Sequence, residues 1–252
     1  QYARYAFDRM ERDVANVVIR DDELSTLVEA VAQGRAIHRN IRRSLEFLVT
    51  TNLSEIVVSI AEAAHGPGEL ETPMELLWIN LVTDVLPGLG LALADPDADV
   101  MEAPPRRVGE PMVPARDWRR MGGDSALIAG SALVAHFVGL ARHGPGAATR
   151  GMTFLALSQG QLLYTLVCQR SDPRKLHPAA LFENRTLDLA LLASCALGAL
   201  PFMTPGLRRL LGIAPLGRAD AAVSLAAAAA PLLTVLARRS VQLSLKPLEI
   251  AE

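Results

Sequence analysis

The chain has 252 residues, half of them hydrophobic, with a formal net charge of −2 and only 4% aromatic residues. So small a charge and so few aromatics exclude a nucleic-acid partner, which needs a basic footprint or stacking platforms. The apolar residues are gathered into long uncharged runs between short charged loops, the pattern of a chain that crosses a bilayer repeatedly.

Residues 1–20 carry charges of both signs and no apolar core, so they do not form a signal peptide. The first residue is not Met, which points to a fragment. Ala15–Ile19 (ANVVI) reads as a short buried strand, and Asp22 as a helix cap before Leu24. A helical pattern then runs through Leu27, Val28, Val31 and Ile37 without a proline, with Gly34 as its one weak point. This predicts one continuous helix from about Leu24 to about Ala63 that carries a cytoplasmic stalk (24–43) into the first span.

A helical span needs about 20 apolar residues. Residues 125–141, 151–169, 189–207 and 221–237 contain no Asp, Glu, Lys or Arg; 76–94 contain Asp84 alone; 44–64 contain Glu46, Glu55 and Glu62. Six membrane helices are therefore expected within a transport domain over 44–252, because a helix is the spanning form that satisfies its own backbone. Pro87, Pro201 and Pro231 should each kink or unwind a span. The run Ala226–Ala230 gives a thin face for close packing. Cys168 and Cys195 lie in apolar runs without metal-ligand spacing and read as small packing residues, and His136 as a packed or interhelical-glue histidine rather than a ligand. Lys and Arg number sixteen in the loops on the N-terminal side of the membrane and five in the opposite loops, which places both termini in the cytoplasm of a multi-pass cell-membrane protein.

The chemistry is inside the spans. Asn52 and Glu55 are three apart on one helix face, and Asn80, Thr83 and Asp84 stand at i, i+3 and i+4 on another. Asp84 is the ninth of the 19 residues between Glu75 and Asp95, near the midplane, where an ionised carboxylate costs ~2.5–3.5 kcal/mol and calls for a functional reason. Glu55 and Asp84, with amide and hydroxyl oxygens beside them, form an all-oxygen set suited to a hard cation; a soft metal would want thiolate or imidazole. Taken singly, Asn52, Asn80 and Thr83 are more often interhelical glue, as are Gln159, Gln161 and Tyr164 of the fourth span. The set as a whole is not explained that way.

Leu76–Arg107 (LLWINLVTDVLPGLGLALADPDADVMEAPPRR) resembles the sixth membrane helix and following loop of type II P-type ATPases, with their Asn-Leu-x-Thr-Asp, Pro, and acidic Pro-Pro-Arg pattern. Gly34–Val58 resembles the stalk and fifth helix, and Ala15–Val31 the end of the phosphorylation domain, so residues 1–23 would be a cytoplasmic remnant of that domain. The likeness is specific over Ala15–Arg107 and loose over the four later spans. It implies that Asn52, Glu55, Asn80, Thr83 and Asp84 are cation ligands, with Glu55 and Asp84 as the charged metal ligands. Gln161 falls where calcium pumps have a glutamate, which makes it an additional candidate cation-binding residue, though its neutral amide weakens the case for two full Ca²⁺ sites. Val85 stands in place of the usual Gly and Ala103 in place of the usual loop Arg; neither change removes a ligand.

The sequence contains no Asp-Lys-Thr-Gly-Thr, Thr-Gly-Glu or Thr-Gly-Asp-Gly-x-Asn-Asp motif, and no fourth helix. Mg²⁺ and ATP would serve the parent enzyme and no cofactor is expected in this chain. The expected partners are a transported cation, the lipid bilayer and the missing N-terminal half of the pump, in cis or in trans. Ca²⁺ leads among the ions, ahead of Mn²⁺, Mg²⁺, Na⁺ and H⁺. A non-catalytic module that scaffolds or regulates a partner, or a passive channel or exchanger using the same acids, would be the alternatives. The abundance of Ala, Arg and Gly suggests a GC-rich bacterial source.

Overall fold

The computed structural model describes residues 24–65, 71–97, 99–102, 104, 109–169 and 184–245. The strand expected at Ala15–Ile19, the Asp22 cap and the whole 1–23 remnant lie outside them. Among the described residues all regular structure is helical. Two compact units divide the chain: residues 1–38 with 96–105, and residues 39–95 with 106–252. In the first, the Arg35 guanidinium donates to the Val100 carbonyl at 3.4 Å. The second holds the helical bundle.

Helix α1, Leu24–His65, runs for 42 residues without a break, as the absence of proline predicts. Gly34 does not interrupt it. Helix α2, Pro73–Asn80, starts on a capping box: the Thr72 hydroxyl accepts from the Glu75 backbone N–H at 3.2 Å, and the Glu75 carboxylate accepts from the Thr72 N–H. Pro73 at the first turn needs no donor there. The chain then widens into one π-helical turn, Leu81–Val85, before α3, Leu86–Ala92. Pro87 lies in the first turn of α3 and has no N–H to give the Thr83 carbonyl, so the ordinary register cannot pass through this point.

Four longer helices and one short one complete the bundle. Helix α4 spans Ala115–His143 and α5 spans Ala147–Cys168. Helix α6, Arg185–Met203, is capped by the Asn184 side chain, which accepts from the Thr186 and Leu187 N–H groups. Helix α7, Pro205–Leu211, stops at Gly212 in the left-handed region (φ 71°), and α8 spans Arg218–Leu245 around Pro231.

Five helical segments are long and apolar enough to cross a membrane: Ser25–Ala64, Pro73–Ala92, Ala115–His143, Arg185–Met203 and Arg218–Arg238. The expected span at 151–169 does form a helix, α5, but it is not among the five. The reason is its composition. Helix α5 is buried almost all round, with α4, α6 and α8 packed against it, and it carries Thr153, Ser158, Gln159, Gln161 and Thr165. A helix enclosed by protein can hold polar groups that lipid would not accept.

Close approaches set its seams. A Cβ on Gly139 of α4 would stand 3.1 Å from the Thr149 Cα of α5. Gly160 of α5 faces Ala228 of α8, fully buried in the alanine run, where an added Cβ would meet the Ala228 Cα at 3.6 Å. Cys168 and Cys195 are free thiols, one buried and one half-buried, in keeping with packing roles.

Candidate cation site

One end of the bundle is held by ion pairs. Arg42 bonds Glu46 of its own helix at 3.1 Å and reaches Asp117 of α4, and Arg120 of α4 returns to Glu46 at 2.6 Å. One helical layer further in, the Tyr164 hydroxyl donates to Asp124 at 2.7 Å. These contacts fix α1, α4 and α5 around the level of Thr50–Glu55, where the Ser125 hydroxyl of α4 donates to the Thr50 carbonyl at 2.9 Å.

Beyond that layer, the side chains singled out in the sequence meet. Asn52 Nδ2 donates to the Leu48 carbonyl at 2.8 Å and to Asp84 Oδ2 at 3.1 Å, which joins α1 to the π turn. The Thr83 hydroxyl donates to Asp84 Oδ1 at 3.3 Å. Gln161 of α5 is wholly buried, and its Nε2 lies 2.9 Å from Glu55 Oε1, 3.2 Å from the Thr51 carbonyl and 3.4 Å from the Ser54 hydroxyl. Asp84 and Asn80 lie close enough to Glu55 to act on its charge. The Asn80 Oδ1 and Gln161 Oε1 atoms are buried acceptors without a hydrogen-bond donor among the described residues.

A cavity of about 360 Å³ opens beside this set, lined by Asn52, Glu55 and Asn80 together with Ser59, Ile56 and Ile60. Thr83 and Asp84 were expected on the same face and are not part of its lining; Thr83 is fully buried and Asp84 is reached through Asn52. A π turn begins between Asn80 and Thr83, so a 3.6-residue period does not hold through these residues.

The arrangement offers two carboxylates and several neutral oxygens. Among the described residues no three His, Cys, Asp or Glu side chains gather as a soft-metal or all-carboxylate centre would require. Hard cations accept the mixed set present here.

Two participants, Thr51 and Ser54, escaped the sequence, because a helical hydroxyl usually bonds its own backbone, as Ser54 does to the Thr51 carbonyl at 2.6 Å. Gln161, singled out in the sequence, is a direct partner of Glu55. Gln159 does not act as interhelical glue through its amide donor: Nε2 has no hydrogen-bond partner and stands 2.7 Å from where a Gly198 Cβ would be.

Residues 72–241, well over half of the chain, match the family described as "Cation transporting ATPase, C-terminus". The chain belongs to this family. The match runs through α4–α8, where the resemblance read from motifs alone is loose. A probable calcium-transporting ATPase of Trypanosoma brucei brucei is 40% identical over 102 residues, which cover 40% of this chain and 10% of that relative. The chain thus matches only a small part of its relative's length. Together with the apolar helices, the family makes this the C-terminal membrane region of a P-type cation ATPase, and a multi-pass membrane protein.

Proposed function

We propose that this region is the ion pathway of an ATP-driven cation transporter, with a hard cation, Ca²⁺ first among the candidates, held between α1 and the π turn. Glu55 and Asp84 supply the charge, and Asn52, Asn80 and Thr83 supply neutral oxygens. Gln161 supports the Glu55 carboxylate and has one free acceptor oxygen of its own. The observation that carries this reading is the hydrogen bond from Asn52 of α1 to Asp84 of the π turn, beside a cavity that Asn52 and Glu55 both line. A cation would supply what the set lacks, positive charge between two carboxylates and a partner for the unpaired amide oxygens.

In this reading α5 is a sixth membrane crossing, its polar groups turned to protein on every side, and both termini are in the cytoplasm of the cell membrane. The long α1 carries motion between the cation site and the phosphorylation domain, of which residues 1–23 are the end. ATP and Mg²⁺ act on the N-terminal half of the pump, in cis or in trans.

The test is phosphorylation by ATP in the complete pump that contains this region. Asp84→Asn keeps the side chain's shape and removes its charge, so the pump should still insert and fold while cation-dependent phosphorylation is abolished or greatly weakened. Unchanged cation dependence in that variant would remove Asp84 from the site.

A further inference from the structure

At the end of the bundle away from the Arg42–Glu46–Arg120 contacts, three more acids come together that the cation site does not use. Glu62 is in the last turn of α1, Glu71 in the connection to α2, and Glu75 in the first turn of α2. Glu62 and Glu75 are completely buried and Glu71 is 7% exposed. Glu62 Oε2 accepts from the Glu71 backbone N–H at 3.2 Å, and Glu62 Oε1 is 3.3 Å from His136 Nδ1, which also lies 3.0 Å from the Thr153 hydroxyl. Glu75 accepts the Thr72 N–H, and its other oxygen is 3.7 Å from Arg150 Nε, while Arg150 Nη2 donates to the Gly212 carbonyl at 2.6 Å. The Glu71 carboxylate has two buried oxygens, and among the described residues neither has a hydrogen-bond donor. The charges acting on it most strongly are those of Glu62 and then Glu75.

Three carboxylates thus face one guanidinium and one imidazole, in a place shielded from water. An ionised Glu71 there would be a buried charge with no donor and two like charges beside it. A carboxyl group that keeps its proton carries its own donor and no charge, and both penalties disappear. A metal ion is the other way to neutralise such a cluster, but it needs oxygens gathered within coordination distance, and among the described residues no such group of three acids or histidines exists.

We propose that Glu62, Glu71 and Glu75, framed by His136 and Arg150, form a proton-binding site separate from the cation cavity. Glu62 lies two helical turns beyond Glu55 on the same face, with Ser59 between them, and the cavity lining ends at Ala63 and Leu76, each next in sequence to an acid of the cluster. The site therefore borders the outer rim of the cavity without contributing to it. Among the described residues the charged groups acting on Glu71 are Glu62 and Glu55 from α1 and Glu75 from α2, while His136 of α4 lies against Glu62 and Arg150 of α5 against Glu75. Burial, reinforced by Glu62, Glu75 and Glu55, pushes the Glu71 carboxyl well above the usual carboxylate range.

The proposal does not depend on the cation assignment, and the experiment keeps the two apart. The full chain carrying Glu55→Gln and Asp84→Asn is placed in lipid nanodiscs at neutral pH, and the carbonyl stretch of protonated carboxyl groups is recorded by infrared spectroscopy. The band should be present, move on transfer to D₂O, move when the protein is grown on ¹³C-glutamate, stay unchanged on adding Ca²⁺, and lose amplitude with Glu71→Gln. Should Glu71→Gln fail to fold, Glu62→Gln and the ¹³C shift decide the question. A missing band, a band indifferent to the glutamate label, or a band erased by Ca²⁺ would overturn the proposal.

Discussion

Gln161 offers a sharp test of how the cation site is built. Its Nε2 is 2.9 Å from Glu55 Oε1 inside a fully buried contact, and the other two partners of that nitrogen are the Thr51 carbonyl and the Ser54 hydroxyl. Gln161→Ala removes the Glu55 contact and leaves a gap that the enclosed α5 cannot close. A hydrogen bond to a charged group contributes ~1.5–3 kcal/mol. If that support is used to keep Glu55 placed and charged for a cation, affinity should fall roughly 10- to 150-fold. The loss should remain smaller than for Asp84→Asn, which deletes a ligand charge outright. Gln161→Glu keeps the volume and adds a second carboxylate against Glu55, so with a divalent cation it should bind more tightly than Gln161→Ala. Equilibrium binding of radioactive Ca²⁺ to the complete pump in nanodiscs reads all three variants. A Gln161→Ala protein with unchanged affinity would refute the idea that α5 supports the site.

Other consequences are testable on the same material. Glu71 holds its proton more tightly in the folded protein than at its ordinary value of 4.5, so the folded state binds more protons above that pH. Stability should be full below it and fall as pH rises, by ~1.4 kcal/mol per pH unit for one group, and Glu71→Gln should remove that slope in thermal unfolding followed across pH; an unaltered slope would count against a protonated Glu71. Gly139→Ala places a methyl group 3.1 Å from the Thr149 Cα and 3.2 Å from the Met152 sulfur, so it should destabilise the α4–α5 seam by ~1–3 kcal/mol, seen as a lowered midpoint in detergent unfolding. A cysteine at position 68, which lies outside the described residues, should react with an impermeant reagent added outside the cell, and one at Glu110 should not; the reverse pattern would invert the topology.

Much of this architecture could be read from charge spacing. The uncharged run 125–141 marks the heart of α4, and the absence of proline foretells the unbroken α1. Pairings over long sequence distances could not be read. Glu55 and Gln161 are separated by 106 residues, and nothing in either helix specifies the other. Pro87 announced a disturbance but not the π turn at Leu81–Val85, nor that Thr83 and Asp84 stand outside the cavity lining. Glu71 sits in a connection with no periodicity, where burial leaves no pattern to detect, so its role emerged only from the packing of Glu62 and Glu75 around it.

A cryo-EM map of the complete pump with Ca²⁺ bound shows directly where the cation sits. Density is expected between α1 and the π turn, with oxygens of both Glu55 and Asp84 at ~2.3–2.6 Å and with Asn80 or Asn52 completing the shell. Density elsewhere in the bundle, or a structure in which Glu55 and Asp84 face away from each other, would contradict it.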